Sequence, residues 1–481
     1  MISEFVREQK RYTQKDLSKI MHCTEESIVP IIRKLKEFGV LKTVKASDAQ
    51  KDMSDLIDSD IEVADVVADD NSHLYVFTFV GVIVVLGRVL KCYPKYLQYK
   101  SAPTAEMKQV LKVLEKYNTK EQIIRMFNDG NEDSSFNLLA VLLFLLYDYY
   151  ENGVYSNAED IIEVNGPGEI LWNETVNDTF ALISGNRPYY VELQTKKRVN
   201  SEYDYFRRLH KCVLTKASKE LGEAGLLDLF EITGVDLTDE VLDDFGEDDY
   251  ILYRLEQELD IQFSTRKQML LKTIYTYIAK GGSLHDIDCL SLFGTNSFNL
   301  VWEKICADVM DNKLDTPLGS IKLPIPLKSA YDSKKKLKEF IEKPLWSATE
   351  KTATKTLIPD LITISKVEDR WHFIIFDAKY YVPKLKKGIV PSGQPGIESV
   401  TKQYLYQLAY KSFINDHEFS SVKNCFLMPT EKDIIEERGE VSMEMLSSMG
   451  LENIKVRFIP AKMAYDHYLG ESKINIETLN L

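Results

Sequence analysis

Two apolar segments, Leu357–Ile364 and Trp371–Phe376, are separated by the polar turn Lys366–Arg370, and ionisable residues stand at the open end of the pair. Short runs rich in Ile, Leu and Phe around a few polar residues predict a β-hairpin. Strand side chains alternate between faces, so Asp377 and Lys379 at the end of the second strand point the same way. The hairpin brings Asp360, near the start of the first strand and seventeen residues before Asp377, alongside them. Helices and strands alternate around this hairpin. A helix is expected over Asn296–Asp311, with the stripe Phe298, Trp302, Ile305 and Val309, and another over Glu398–Phe413. Strands are expected over Val422–Met428 and Ile454–Ile459, with a closing helix over Ala461–Leu469. This order predicts an α/β domain with a mixed sheet across residues 291–481, in a chain that is mixed α+β overall.

The N-terminal residues 1–45 predict a winged-helix-like module. Thr13 and Asp16 have the spacing that caps a helix, and Thr24 is placed to cap the next one. Ile28, Ile31, Ile32 and Leu35 form the buried stripe of that second helix, and Gly39 stops it. Ten Lys/Arg against six Asp/Glu make the module net +4 in a chain of net charge −14. Contact with DNA and contact with a protein partner fit it equally.

Residues 46–72 carry nine carboxylates without a sustained period and read as an acidic linker. Residues 73–290 read as a mixed, mainly helical region for partner or DNA contact. It opens with strands over Leu74–Val85 and Gly87–Leu90, broken at Gly81 and Gly87. A helical stretch over 105–150 follows and ends in the apolar run Leu138–Tyr147, read as a buried helix. Asn165-Gly166-Pro167-Gly168 is a turn cluster. The eight carboxylates of Asp236–Asp249 lack calcium-loop spacing and read as a solvated acidic face.

Other chemistries lose support on composition. Six scattered cysteines with no C-x-x-C pair argue against a disulfide scaffold or zinc knuckle and for a reducing cytoplasm. Met1–Lys10 lacks a signal-peptide core, and the apolar runs fall short of the roughly 20 residues that cross a bilayer, so no membrane is expected. The seven histidines form no H-x-x-x-H pair, His372 reads as structural, and no G-x-S-x-G elbow supports acyl transfer. The acidic balance excludes a uniformly basic nucleic-acid coat but leaves room for local basic surfaces.

Two carboxylates and an ammonium on one face suit phosphodiester hydrolysis. A hard cation such as Mg2+, with Mn2+ as its substitute, takes carboxylate oxygens, water and phosphate oxygens, and acidifies the bound water. Asp360 and Asp377 would hold it, with the Ala378 carbonyl as a further ligand. Lys379 would position the attacking water and offset developing charge. The interval Lys379–Lys411 carries six Lys against one Glu, a patch suited to a polyanion, and Lys334-Lys335-Lys336-Leu337-Lys338 adds to it. On the plainer reading, Asp360 caps a turn and Asp377 and Lys379 are a solvated strand end.

Pro359-Asp360 followed by Asp377-Ala378-Lys379 resembles the PD-(D/E)xK nuclease superfamily. That resemblance implies a restriction-endonuclease-like mixed sheet flanked by helices. It also implies a further metal-binding Glu on the preceding helix, here Glu303 within Trp302-Glu303-Lys304. The following helix would back the site with Gln403 and Gln407, although position 407 departs from the Q-x-x-x-Y spacing by being Gln rather than Tyr.

Further landmarks are Phe77-x-Phe79-Val80-Gly81-Val82-Ile83, Tyr93-Pro94-Lys95-Tyr96, Asn165 to Trp172, Val301-Trp302-Glu303 and Phe376 to Tyr381. Over most of residues 73–415 they are similar to the LlaJI family of restriction endonucleases, related to McrC-type nuclease subunits. This resemblance implies a Mg2+-dependent endonuclease subunit of a bacterial restriction or phage-defence system. It would act on double-stranded DNA with a McrB-like AAA+ GTPase, beside a cognate DNA methyltransferase. The chain has no G-x-x-x-x-G-K-[ST], so any motor is another polypeptide, docked on part of residues 73–290. The alternative from another class is a non-catalytic DNA-binding regulator, with a winged helix and a degenerate nuclease-like domain.

Overall fold

A capping box opens the first helix. Asp16 donates its backbone N–H to Thr13 Oγ1 at 3.1 Å, and its carboxylate takes the Thr13 N–H at 3.0 Å. In the computed structural model, which describes residues 1–45, 61–62, 73–117, 137–200, 203–284 and 290–481, this helix follows strands β1 (Ile2–Arg7) and β2 (Arg11–Tyr12). It is α1 (Gln14–Ile20), followed by α2 (Ile28–Glu37), which buries Ile28, Ile31, Ile32 and Leu35. The second cap differs from expectation. Thr24 Oγ1 accepts the Ser27 N–H at 3.2 Å and closes a turn one step ahead of the helix, because Ser27 and not Thr24 stands at the boundary. Gly39, at φ +67°, ends α2 as expected.

Strand β3 (Leu41–Lys45) joins β4 (Ile61–Glu62) and pairs antiparallel with β5 (His73–Phe77), in a sheet ordered β2-β5-β3-β4. Two helices against this sheet make the winged-helix-like arrangement. The acidic linker read over 46–72 lies outside the described residues apart from 61–62. Strands β6 (Val80–Val85) and β7 (Arg88–Tyr93) form an antiparallel pair, β1 adds in parallel to β7, and α3 (Thr104–Tyr117) follows.

The chain divides into two compact units, one over 131–291 and one made of 2–130 with 292–481. In the first, α4 (Leu138–Asn152) is the buried apolar helix expected, and its buried Asp148 pairs with Arg266 at 2.7 Å. The region is less uniformly helical than expected. Residues 158–200 fold as β8 (Ala158–Val164), β9 (Glu169–Ile170), α5 (Trp172–Asp178), β10 (Ala181–Ser184), β11 (Arg187–Tyr190) and β12 (Gln194–Asn200), in two small sheets. The helices α6 (Tyr205–Glu223), α7 (Leu226–Leu229), α8 (Asp248–Ile261) and α9 (Thr265–Lys280) complete it.

In the second unit, β13 (Leu290–Thr295) extends the N-terminal sheet to the order β1-β7-β6-β13. Gly81 does not break its strand. A Cβ there would stand 2.1 Å from the Phe293 carbonyl oxygen, so glycine lets two backbones approach. This shared sheet places 73–117 with 292–481, whereas the boundaries read from sequence grouped 73–290.

Beyond it run α10 (Phe298–Val309), the ribbon β14 (Leu345–Trp346) and β15 (Lys351–Thr352), then the hairpin β16 (Leu361–Val367) and β17 (Arg370–Ala378). The chain closes with α11 (Ile397–Asp416), β18 (Ser421–Thr430), β19 (Glu436–Val441), α12 (Glu444–Ser447), β20 (Ile454–Pro460) and α13 (Ala461–Leu469). The five-stranded sheet is ordered β16-β17-β18-β20-β19 and is mixed, with parallel pairing of β17 to β18 and β18 to β20. The hairpin turn is tighter than expected. Glu368 and Asp369, at φ +47° and +62°, form a two-residue connection that matches the strand twist.

Tyr406, Tyr410, Phe413 and Ile414 of α11 pack on Ile362, Ile364, Phe373 and Ile375 on one face of the sheet. On the other face Thr363 Oγ1 donates to the Met310 carbonyl, just past α10, at 2.5 Å. Among the described residues no helix is long and apolar enough to cross a membrane.

Candidate active site

The register of the hairpin pairs Leu361 with Phe376, which sets Asp360 against Asp377 one step further along. Phe373 and Ile375 face the core beneath α11, and Asp377, two residues on, keeps that face and is buried. Asp360 Oδ2 accepts the Ala378 N–H at 2.8 Å, which fixes the first carboxylate across the strand end. Lys379 Nζ lies 3.1 Å from Asp377 Oδ2. The Lys379 backbone N–H donates to the Leu427 carbonyl at 2.8 Å, and the indole N–H of buried Trp302 donates to that same oxygen at 3.2 Å. Glu303 is the next residue on α10. Strand pairing and one shared carbonyl thus hold Glu303, Asp360, Asp377 and Lys379 in one neighbourhood.

These four groups share an electrostatic field. Burial raises the pKa of Asp360 well above the carboxylate range, the hydrogen bond and charge of Asp377 add to it, Glu303 adds further, and Lys379 opposes. Burial likewise raises Glu303, with Asp377 adding and Lys379 and Asn299 opposing. For Lys379 burial pulls downward, but the charges of Asp377 and Asp360 outweigh it and the ammonium is strengthened. Two carboxyl groups in hydrogen-bond contact under partial burial are stable only with a proton or a cation between them. Among the described residues no three Asp, Glu, His or Cys side chains form a ready metal cage. Mg2+ commonly takes one or two carboxylates and completes its shell with water and phosphate, so the Asp360–Asp377 pair fits such an ion. Glu303 is linked to the pair through charge.

The two glutamines of α11 make different contacts. Gln403 is buried and donates Nε2 to the Ile375 carbonyl at 2.8 Å, bracing β17 two residues before Asp377. Gln407 Oε1 accepts from Asn424 Nδ2 at 2.8 Å and from the Glu452 N–H at 3.1 Å, inside the core. In the lysine cluster, Lys336 and Lys338 pair with Asp315. His372 Nδ1 contacts Ser421 Oγ at 2.7 Å, toward the hairpin turn.

Sequence reading missed a second cluster beside the site. Tyr380, which follows Lys379, donates its phenol to Glu8 Oε2 at 2.6 Å, and the Lys95 N–H reaches the same oxygen at 3.1 Å. The Lys95 ammonium stands 4.7 Å from the Tyr380 ring centroid. Tyr93–Tyr96 and Tyr380-Tyr381 stood out as landmarks, but a lone Glu after a short strand gave no signal.

The family model described as LlaJI restriction endonuclease matches residues 79–324 and 327–462. A relative from Bacillus subtilis (strain 168), the type II restriction enzyme BsuMI component YdjA, is 25% identical over 430 residues, covering 86% of this chain and 85% of its own. Two solved assemblies contain chains of similar course. One is a half-complex of Thermococcus gammatolerans McrB AAA+ hexamers with bound McrC, at TM-score 0.39 and 14% identity, covering 98% of this chain and 99% of that one. The other is the T. gammatolerans McrBC complex, at TM-score 0.26 and 14% identity, covering 63% and 85%. The family match spans more than half of the sequence and bears out the resemblance read from the residues themselves: this chain belongs to the LlaJI restriction endonuclease family.

Proposed function

We propose that this chain is the Mg2+-dependent DNA endonuclease subunit of a bacterial restriction or phage-defence system, acting in the cytoplasm on double-stranded DNA. The observation that carries the reading is the approach of Asp360, Asp377 and Lys379 at one strand end in a member of a restriction endonuclease family. Asp360 and Asp377 would hold the cation, with Glu303 beside them as a further acidic group. Bound there, Mg2+ or Mn2+ would acidify a water and neutralise phosphate charge. Lys379, held against Asp377, orients the attacking water and meets the negative charge that grows on the phosphoryl oxygens.

The chain is read as one component of several. Its sequence holds no nucleotide-binding P-loop, and the reading gives that task to a McrB-like AAA+ GTPase, with a DNA methyltransferase in the same system. Exposed apolar residues on α5, β10 and their surroundings, with Phe180 95% and Ile183 78% exposed, offer a docking surface for that partner.

The test is a cleavage assay on duplex DNA with Mg2+, with and without a McrB-like AAA+ GTPase. Cutting is expected, and Lys379→Ala abolishes it while DNA binding and fold persist. Binding without cutting under every condition would favour a non-catalytic regulator.

A further inference from the structure

The ribbon of β14 and β15 pairs Leu345 with Thr352 and Trp346 with Lys351. Neighbouring strand residues face opposite sides, yet Leu345 is 68% and Trp346 65% exposed. Neither face of the ribbon packs on the core. A lone two-stranded ribbon is marginal in water. This one is tied by turn and base contacts: the Thr349 N–H to the Trp346 carbonyl at 3.0 Å, the Ala353 N–H to Pro344 at 2.8 Å, and Thr356 Oγ1 to Glu342 at 2.7 Å. Its shape is therefore held while its apolar side chains stay in solvent.

Its charge is local and positive. Lys343, Lys351 and Lys355 stand against Glu350 alone over residues 343–355, and none of the three makes an ion pair among the described residues. A second basic loop follows Lys379 in the chain. It carries Lys384, Lys386 and Lys387, has no acidic residue between Lys379 and Glu398, and is closed by the Lys384 N–H to Ser392 at 2.8 Å. One loop leads into Asp360 and the other departs from Lys379.

We propose that the Leu345–Thr352 ribbon enters the major groove of duplex DNA beside the scissile phosphate. Trp346 meets base edges from one face of the ribbon, Leu345 packs against the groove wall from the other, and Lys343, Lys351 and Lys355 meet phosphates. The inference rests on the endonuclease reading above. The major groove admits a two-stranded ribbon, and apolar side chains contact the thymine methyl group in it. The eight residues from Thr352 to Asp360 span at most roughly 28 Å when extended. That is under one turn of B-DNA, about 34 Å, so the ribbon's footprint falls within a turn of the cut. In a chain of net charge −14, a lysine-flanked apolar ribbon is complementary to a polyanion.

The test uses the full-length Lys379→Ala protein and a fluorescent duplex, titrated across a salt series, with a parallel cleavage assay on the parent chain. Leu345→Ser with Trp346→Ser should weaken duplex binding by about tenfold or more and leave the salt slope unchanged, since no charge is lost. Lys351→Ala with Lys355→Ala should lower the slope by about one per lysine. All four positions are exposed, so thermal unfolding should match the parent. Duplex affinity and slope unaltered in both variants would overturn the proposal. Unaltered DNA binding with loss of stimulation by the AAA+ partner would overturn it in favour of a protein dock. If the parent never cuts but the ribbon variants lose DNA, the ribbon inference stands and the endonuclease reading falls. If the Lys379→Ala protein binds no duplex, both fall.

Discussion

Tyr380 donates its phenol to Glu8 at 2.6 Å across 372 positions of sequence, so the residue after Lys379 is fastened to the N-terminal segment. Glu8 is buried, and its carboxylate also takes the Lys95 N–H at 3.1 Å. Removing it as Glu8→Ala strands the Tyr380 phenol, while the Lys95 N–H keeps the Tyr380 oxygen at 3.2 Å, and should lower stability by about 1–3 kcal/mol in urea denaturation. Glu8→Gln keeps an acceptor and separates charge from hydrogen bonding. Burial raises the Glu8 pKa above 4.5, against the opposing pull of Lys95 and Tyr380. Its charge-linked stability is present below that value and lost as pH rises through the folded one. Glu8→Gln should therefore gain on the parent as pH increases; a difference that shrinks with pH would contradict this.

Asp360 gives a second pH dependence, visible when divalent cations are chelated. Burial first, and then Asp377, raise its pKa well above 3.8. The folded state then holds a proton that the unfolded state has released. The stabilisation is complete below 3.8 and fades as pH climbs through the folded pKa. In EDTA the melting temperature should fall across this range, and Asp360→Asn should flatten the fall. Mg2+ should restore more stability at about pH 8 than at about pH 6, because it displaces that proton. Equal restoration at both would mean that the cation binds elsewhere.

The hairpin that gathers Asp360, Asp377 and Lys379 was legible because its signals are local: two apolar runs, a polar turn, and the alternation that puts positions 377 and 379 on one face. The Thr13–Asp16 capping box and the stop at Gly39 were legible for the same reason. What escaped depends on pairing over long separations. The small strands β10 and β11 bury little, so no apolar alternation marks them. Gly81 looked like a strand breaker until Phe293, more than two hundred residues later, was found against it. Glu8 belongs to the same class, because nothing near it in sequence announces Tyr380.

Trp302 and Lys379 hang from one carbonyl, that of Leu427. Trp302→Phe deletes the indole donor and three ring atoms at a fully buried position. Stability should fall by about 2–3 kcal/mol, one hydrogen bond plus the cavity left behind. The larger effect should be on cutting, since Glu303 adjoins Trp302 and a displacement of about 1 Å near reacting groups is felt strongly. The expected outcome is a kcat lower by about tenfold with KM for DNA unchanged. A change confined to KM would place the Trp302 contact in DNA binding instead.

Gln407 separates the core of α11 from the candidate site. Its Oε1 accepts from Asn424 Nδ2 and the Glu452 N–H, tying α11 to β18 and to the segment before β20. Asn424 is buried, and without Gln407 its amide keeps only the Glu452 carbonyl, at 3.1 Å. Gln407→Ala should therefore reduce stability by about 2–3 kcal/mol, the range for a buried polar group left under-satisfied. Gln407→Glu retains an acceptor at that position and should recover part of the loss. Neither change reaches Asp360, Asp377 or Lys379, so the folded fraction should cut at the parental rate when assayed well below its melting temperature. A loss of kcat in protein shown to be folded would move Gln407 from the core of the domain into its chemistry.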